Sequence, residues 1–279
     1  MRPRPTPSIL AMTPFTTTWA LYLVLLLLAL VGLWAGLRRR GVRTQRLTLF
    51  AIALANWGIS TWFTFDRIAS GRFPDFVLSR NWPLHFCTLA TILLVPAMLA
   101  TRQWWAHPLQ SLLFFPGALA GFLALASPGA DYMGTHVWSM GSLFYVVHGL
   151  NAVIPFAFAS LGLYRPRWRD AALSLVWFTV LALAVLGVTV FARAFVDPKA
   201  NYMYFFDPEG AGILDVLWNA IHVPMLYELP LLPILYPVLL LMVAIQRGFE
   251  RIGLAAGRRR GGDAGADAGA GLGDAPVAA

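Results

Sequence analysis

The sequence carries little charge. Only 12% of its 279 residues are Asp, Glu, Lys or Arg, 58% are hydrophobic and the mean hydropathy is +0.66. Soluble domains carry about 25% charged residues, so a soluble globular enzyme is excluded. There is one cysteine, Cys87, which excludes a disulfide scaffold. The apolar excess equally excludes a disordered chain. Lysine is almost missing: Lys199 stands alone among 21 basic residues. A formal charge of +8 would suit a nucleic-acid partner. The arginines, however, cluster at the ends of apolar runs, which is the placement of membrane topology, so no nucleic acid is expected.

What the sequence has instead is long apolar runs. A helix needs about 20 apolar residues to cross about 30 Å of hydrocarbon. Charge-free stretches predict seven such helices, near residues 19–37, 47–65, 84–101, 109–126, 140–162, 171–192 and 229–246. The expected class is therefore all-α, a polytopic membrane protein of seven transmembrane helices. An N-terminal arm covers 1–18, the membrane domain 19–246, and a Gly/Ala/Arg-rich cytoplasmic tail 247–279. That tail is too poor in apolar side chains to pack and is expected to be disordered. Arg2 and Arg4 precede the first run as in a signal peptide, but no clear cleavage site follows, and Arg38, Arg39 and Arg40 close it like an anchor.

Orientation follows from the basic residues alone. With the N-terminus outside, the cytoplasmic segments hold the Arg38 to Arg46 group, Arg102, the Arg165 to Arg169 group and the five arginines from Arg247 to Arg260. That is fourteen of the 21 Lys and Arg residues, so the expectation is N-out and C-in. No convincing inverted repeat marks a secondary transporter. Pro96, Pro116 and Pro155 lie inside spans, where each removes a backbone donor.

Polar residues at membrane depth are costly, and a functional role is their default reading. The inventory is Asn56, His85, Cys87, His148, Asn151, Asn201, Tyr202, His222 and Glu228. Nearly all fall on the outer half, which suggests a site opening toward the outer leaflet. If Pro83 starts the third helix, Cys87 sits near a helix N-terminus, where the dipole favours thiolate. His148 is then within reach as a base, and Asn151, one turn further along, can hold the imidazole or donate to an oxyanion. His85 is about 200° from Cys87 on a regular helix and ranks behind His148 as the base. His85, Asn201, Tyr202 and His222 are candidate substrate or oxyanion contacts. The blander reading makes Cys87 a small packed hydrophobe and the asparagines interhelical glue. His107 and His136 read as solvated loop residues.

Two rivals stand beside an enzyme. A non-catalytic protein could bind or transport a lipid or small solute through an outer cavity. A zinc hydrolase using His85, His148 and His222 matches no metal-ligand spacing, so neither metal nor organic cofactor is expected.

Several short strings occur in a fixed order: Pro83-Leu84-His85-Phe86-Cys87, Val147-His148-Gly149, Tyr164-Arg165-Pro166-Arg167-Trp168-Arg169 and Asn201-Tyr202-Met203. Together they resemble the YwaF family of bacterial multi-pass integral membrane proteins over roughly residues 45–246. That family is similar in turn to eukaryotic cysteine acyltransferases that remodel ether phospholipids, and more remotely to intramembrane threonine/histidine lipid hydrolases. The resemblance implies Cys87 as nucleophile and His148 as base. It further implies acyl transfer or hydrolysis on a membrane phospholipid or lysolipid in the bacterial cytoplasmic (inner) membrane.

Overall fold

The Leu-rich run after Thr16 forms a helix because nothing in it competes for the backbone, and Thr16 Oγ1 caps it by accepting the Trp19 amide. This and the following elements come from a computed structural model that describes residues 11–70, 77–80, 82–101, 103–128, 132, 134–209 and 213–269. Residues 1–10 of the expected N-terminal arm and 270–279 of the expected tail lie outside the described residues.

In chain order the elements are β1 (Ala11–Met12), α1 (Thr17–Leu37), α2 (Val42–Ala69), α3 (Phe86–Leu99), α4 (Gln103–Leu112) and α5 (Ala118–Ala126). Then follow β2 (Thr135–His136), α6 (Leu143–Ser160), α7 (Trp168–Phe195), α8 (Ile213–Ala220) and α9 (Leu231–Gly269). A π-helical turn, Leu113–Gly117, joins α4 to α5 around Pro116. It absorbs the amide that proline lacks without breaking the helix. The α9 helix continues past residue 246, the expected end of the membrane domain.

Six helices among the described residues are long and apolar enough to cross a membrane: Thr17–Leu37, Val42–Ala69, Trp104–Ala126, Met140–Ser160, Trp168–Phe195 and Leu226–Glu250. The third expected span is shorter than its sequence suggests. Its helix has 14 residues and rises about 21 Å, against the 84–101 expected. The chain at His85 is still extended (φ −64°, ψ 139°), so the helix starts at Phe86 and not at Pro83. Aromatic packing from a distant segment holds it there, as described below.

Both ends of the bundle are tied by polar contacts. At one end β1 pairs antiparallel with β2, Ala11 opposite His136 and Met12 opposite Thr135. At the other, Arg46 donates to the carbonyls of Met98 and Ala100 at 3.1 and 2.9 Å. There the buried Asp170 accepts from the Arg167 amide (2.9 Å), lies 3.0 Å from His107 Nε2 and receives the Tyr164 hydroxyl. His107 is thus a helix α4 residue paired with a buried carboxylate, not a solvated loop residue. The Tyr164 to Arg169 string closes the α6–α7 turn and caps α7. Between the two ends, α2 packs on α3 and α6, α5 on α6, α4 on α7 and α7 on α9. Leu49, Leu94, Phe114, Phe115, Ile154 and Leu239 meet in the core.

Candidate functional site

Five helices supply most of the wall of a cavity of about 1380 Å³, more than the roughly 300–1,000 Å³ of an ordinary small-molecule site. Each contributes one helical stripe. From α7 the lining residues are Leu175, Phe178, Thr179, Ala182, Leu183 and Leu186, at spacings of three and four. From α5 and the π turn they are Pro116, Leu119, Ala120, Leu123 and Ala124, at the same spacings. The α2 stripe includes Trp57, Ser60, Thr61 and Thr64, that of α9 Leu232, Leu235 and Leu239, and that of α3 Cys87, Thr88, Thr91 and Ile92. Helix α6 reaches the cavity only in its first turns, through Phe144, Val147 and His148.

Cys87 and His148 therefore border the same space. Cys87 is half-buried, in the first turn of α3, where the N–H groups have no carbonyl four residues back to accept them. His148 Nδ1 lies 2.7 Å from the Phe144 carbonyl. A carbonyl only accepts, so Nδ1 carries the proton and Nε2 is left as the acceptor, the tautomer a general base needs.

His85 also lines the cavity. As the extended residue before α3 it escapes the opposite-face geometry of a regular helix. Its ring meets the edge of Tyr202 at 6.3 Å and Tyr204 at 5.1 Å, and among the described residues its buried Nδ1 has no hydrogen-bond partner. Tyr202 is buried, stacks on Trp82 and donates its hydroxyl to the Ser79 carbonyl. It is a wall behind His85, not a lining residue.

Asn151 is fully committed elsewhere. Buried at 1% exposure, it donates to the Cys87 carbonyl (3.0 Å) and to Thr91 Oγ1 (2.9 Å), and accepts from Asn56 Nδ2 (3.0 Å). The Thr91 hydroxyl also approaches the Cys87 carbonyl at 2.9 Å. This knot joins α2, α3 and α6 directly behind the thiol, so Asn151 positions the backbone of Cys87 and offers nothing to an oxyanion. Replacing it with leucine is expected to leave Asn56 Nδ2 only its 3.4 Å contact with the Val147 carbonyl and to lower stability by about 1–3 kcal/mol. Chemical denaturation in detergent checks this, and an unchanged midpoint would contradict it.

Asn201 is likewise buried, donating to the Asp207 carbonyl (2.7 Å) and Glu209 Oε1 (2.8 Å) while accepting the Phe206 amide (2.9 Å). It lines a second, smaller pocket of about 340 Å³ and not the large cavity. His222 is exposed, against Trp218 at 4.3 Å, and is absent from the cavity wall. Among the described residues no three His, Cys, Asp or Glu side chains cluster as a metal site.

Several wall residues were missed by sequence reading. Tyr204 has a positive φ of 66° and follows Met203 at 56°, so two successive left-handed residues turn the Asn201-Tyr202-Met203 string back over His85. Arg67, buried in the last turn of α2, donates to the Tyr132 hydroxyl and lies over the Tyr132 ring at 5.0 Å. The signal for Arg67 was its being an arginine at the end of an otherwise apolar run. Arg80, another lining residue, pairs with Asp197 at 2.9 Å.

Residues 11–245 match the TMEM164 family. The chain belongs to that family. It is a membrane family, in keeping with the run of apolar helices. No curated protein and no solved structure matches the chain.

The Arg80–Asp197 pair has its own pH dependence. The Lys199 amide, followed by the Ser79 hydroxyl and Arg80, holds the Asp197 carboxyl below its ordinary range. Stability from a depressed carboxylate is present above the unfolded pKa and lost as pH falls through the folded one. Asp197→Asn is therefore expected to lower the thermal midpoint at pH 7, with the difference from the parent shrinking below about pH 4. A constant difference across that range would contradict the assignment.

Proposed function

We propose that the protein is a membrane enzyme that transfers or hydrolyses the acyl group of a lipid ester through a thioester on Cys87. The observation that carries this is the shared cavity: a thiol in a helix first turn, a histidine whose Nε2 is the acceptor, and a long apolar space beside them. His148 Nε2 takes the Sγ proton as sulfur attacks the ester carbonyl. The C–S bond forms, the ester C–O bond breaks, and the leaving lysolipid oxygen takes the proton back from Nε2. In the second half a lysolipid hydroxyl or water gives its proton to Nε2 and attacks the thioester. The new C–O bond forms, the C–S bond breaks and the thiol regains its proton. With Asn151 and Asn201 committed to other bonds, the oxyanion is held by first-turn N–H groups of α3.

The likeness to the YwaF family and, through it, to phospholipid-remodelling cysteine acyltransferases supports the same chemistry. We read the chain as seven spans with α3 as the short one, N-out and C-in, in a bacterial inner membrane. The β1–β2 pairing supports this count: four helical passes between the strands return the chain to the face where it began, and three would not. On that reading the site opens toward the outer leaflet and the substrate arrives within the bilayer.

The test is intact-protein mass spectrometry of the purified protein in phospholipid nanodiscs. An acyl adduct on Cys87 that neutral hydroxylamine removes is the expected result. No adduct, with lipid turnover nonetheless present, would overturn the mechanism.

A further inference from the structure

We propose that the α7 stripe from Leu186 down to Leu175 is an acyl-chain ruler, with Ala182 and Thr179 setting the longest chain that Cys87 accepts. The inference rests on the thioester reading and adds the specificity of the same site.

The cavity has an upper and a lower part. Cys87 and His148 border it near the end that carries the α2–α3 and α7–α8 connections, whereas its far end is walled by Trp57, Ile92, Pro116, Leu119, Leu175 and Leu239. Along α7 the lining runs about 17 Å, from Leu186 to Leu175. Half of a bilayer's hydrocarbon core is about 15 Å, so the limb accepts one chain of ordinary membrane length.

The limb is blind. Pro116 and Leu239 at its floor are buried in the core, and among the described residues no lining residue comes from the opposite end of the bundle. A blind limb measures length, because a chain that is too long leaves its ester above the thiol. Three of its hydroxyls are also turned inward to their own helices: Thr179 donates to the Leu175 carbonyl at 2.9 Å, Thr64 to the Ser60 carbonyl at 3.0 Å and Thr91 to the Cys87 carbonyl at 2.9 Å. Those polar atoms are satisfied without a ligand, so an apolar occupant strands none of them. Ala182 and Thr179 are the small members of the α7 stripe, one turn apart, and a larger side chain at either fills the limb partway down.

The experiment follows Cys87 acylation by p-nitrophenyl octanoate and p-nitrophenyl palmitate in full-length protein held in nanodiscs. Ala182→Phe is expected to lower the palmitoyl-to-octanoyl rate ratio by about tenfold or more, and Thr179→Phe, deeper in the limb, by less. An unchanged ratio in a variant that still acylates would overturn the ruler. Binding of a fluorescent palmitate analogue to Cys87→Ala, with and without Ala182→Phe, reads the limb without chemistry. Binding about tenfold weaker with phenylalanine supports the limb even where the parent forms no thioester, which would count against the enzyme reading alone. Equal binding removes the ruler even where the thioester forms. Thr179→Phe keeps both readouts open if Ala182→Phe fails to fold.

Discussion

Alanine at Cys87 is expected to abolish acyl-enzyme formation outright, and alanine at His148 to slow it by about 100- to 10,000-fold. The two losses differ in kind. Without the sulfur there is no atom on which a thioester can form. Without the imidazole the thiol remains, in the first turn of α3, and reacts at the rate its small thiolate fraction permits. Raising the pH should therefore recover part of the His148→Ala rate and none of the Cys87→Ala rate. His85→Ala provides the comparison that assigns the base. His85 borders the same cavity, but its buried Nδ1 has no partner among the described residues to fix its tautomer, whereas His148 Nδ1 is tied to Phe144 and directs its other nitrogen to act as acceptor. A smaller loss in His85→Ala than in His148→Ala is the expected order. The reverse order would move the base to His85, and lipid turnover persisting in Cys87→Ala would remove the thiol as the nucleophile.

The helices were legible because hydrocarbon-length apolar runs have few other uses, and six of the expected spans recur as helices long enough to cross. The start of α3 was not legible. His85 is kept extended by Tyr202 and Tyr204, more than a hundred residues away in the chain, and no local pattern around Pro83 announces that packing. A helix beginning at Pro83 would turn His85 away from Cys87, and the observed one puts both on the cavity. Asn151 was visible as a polar residue at depth, yet whether it faced substrate or the Cys87 carbonyl depended on Asn56 and Thr91 arriving from two other helices. The cavity stripes were hidden for a different reason. Helices that face lipid on one side and a cavity on the other are apolar all round, so periodicity marks neither face.

Small residues show a further case in which the signal was present and unused. Gly117 and Gly121 stand four apart, the spacing of close helix contact in membranes. A Cβ at Gly121 would come within 2.7 Å of the His148 carbonyl oxygen and 3.1 Å of the Ala152 amide nitrogen, both backbone atoms of α6. Neither can rotate away, so Gly121→Ala must push α6 off α5 at the residue that carries the imidazole. A displacement near 1 Å at a catalytic group costs about 100-fold. Gly121→Ala is thus expected to slow Cys87 acylation to that degree while a small alkylating reagent still reaches the thiol. Gly149→Ala is the control. Its Cβ would meet the Tyr22 hydroxyl at 2.5 Å and Leu26 at 2.7 Å, which are side-chain ends on α1. These can swing aside, and α1 packs on α6 from outside the cavity wall. Gly149→Ala should loosen α1, losing the Tyr22 hydrogen bond to the Tyr145 carbonyl, and lower the thermal midpoint with little change in acylation rate. Equal slowing in both variants would show that α6 is not held in place through Gly121.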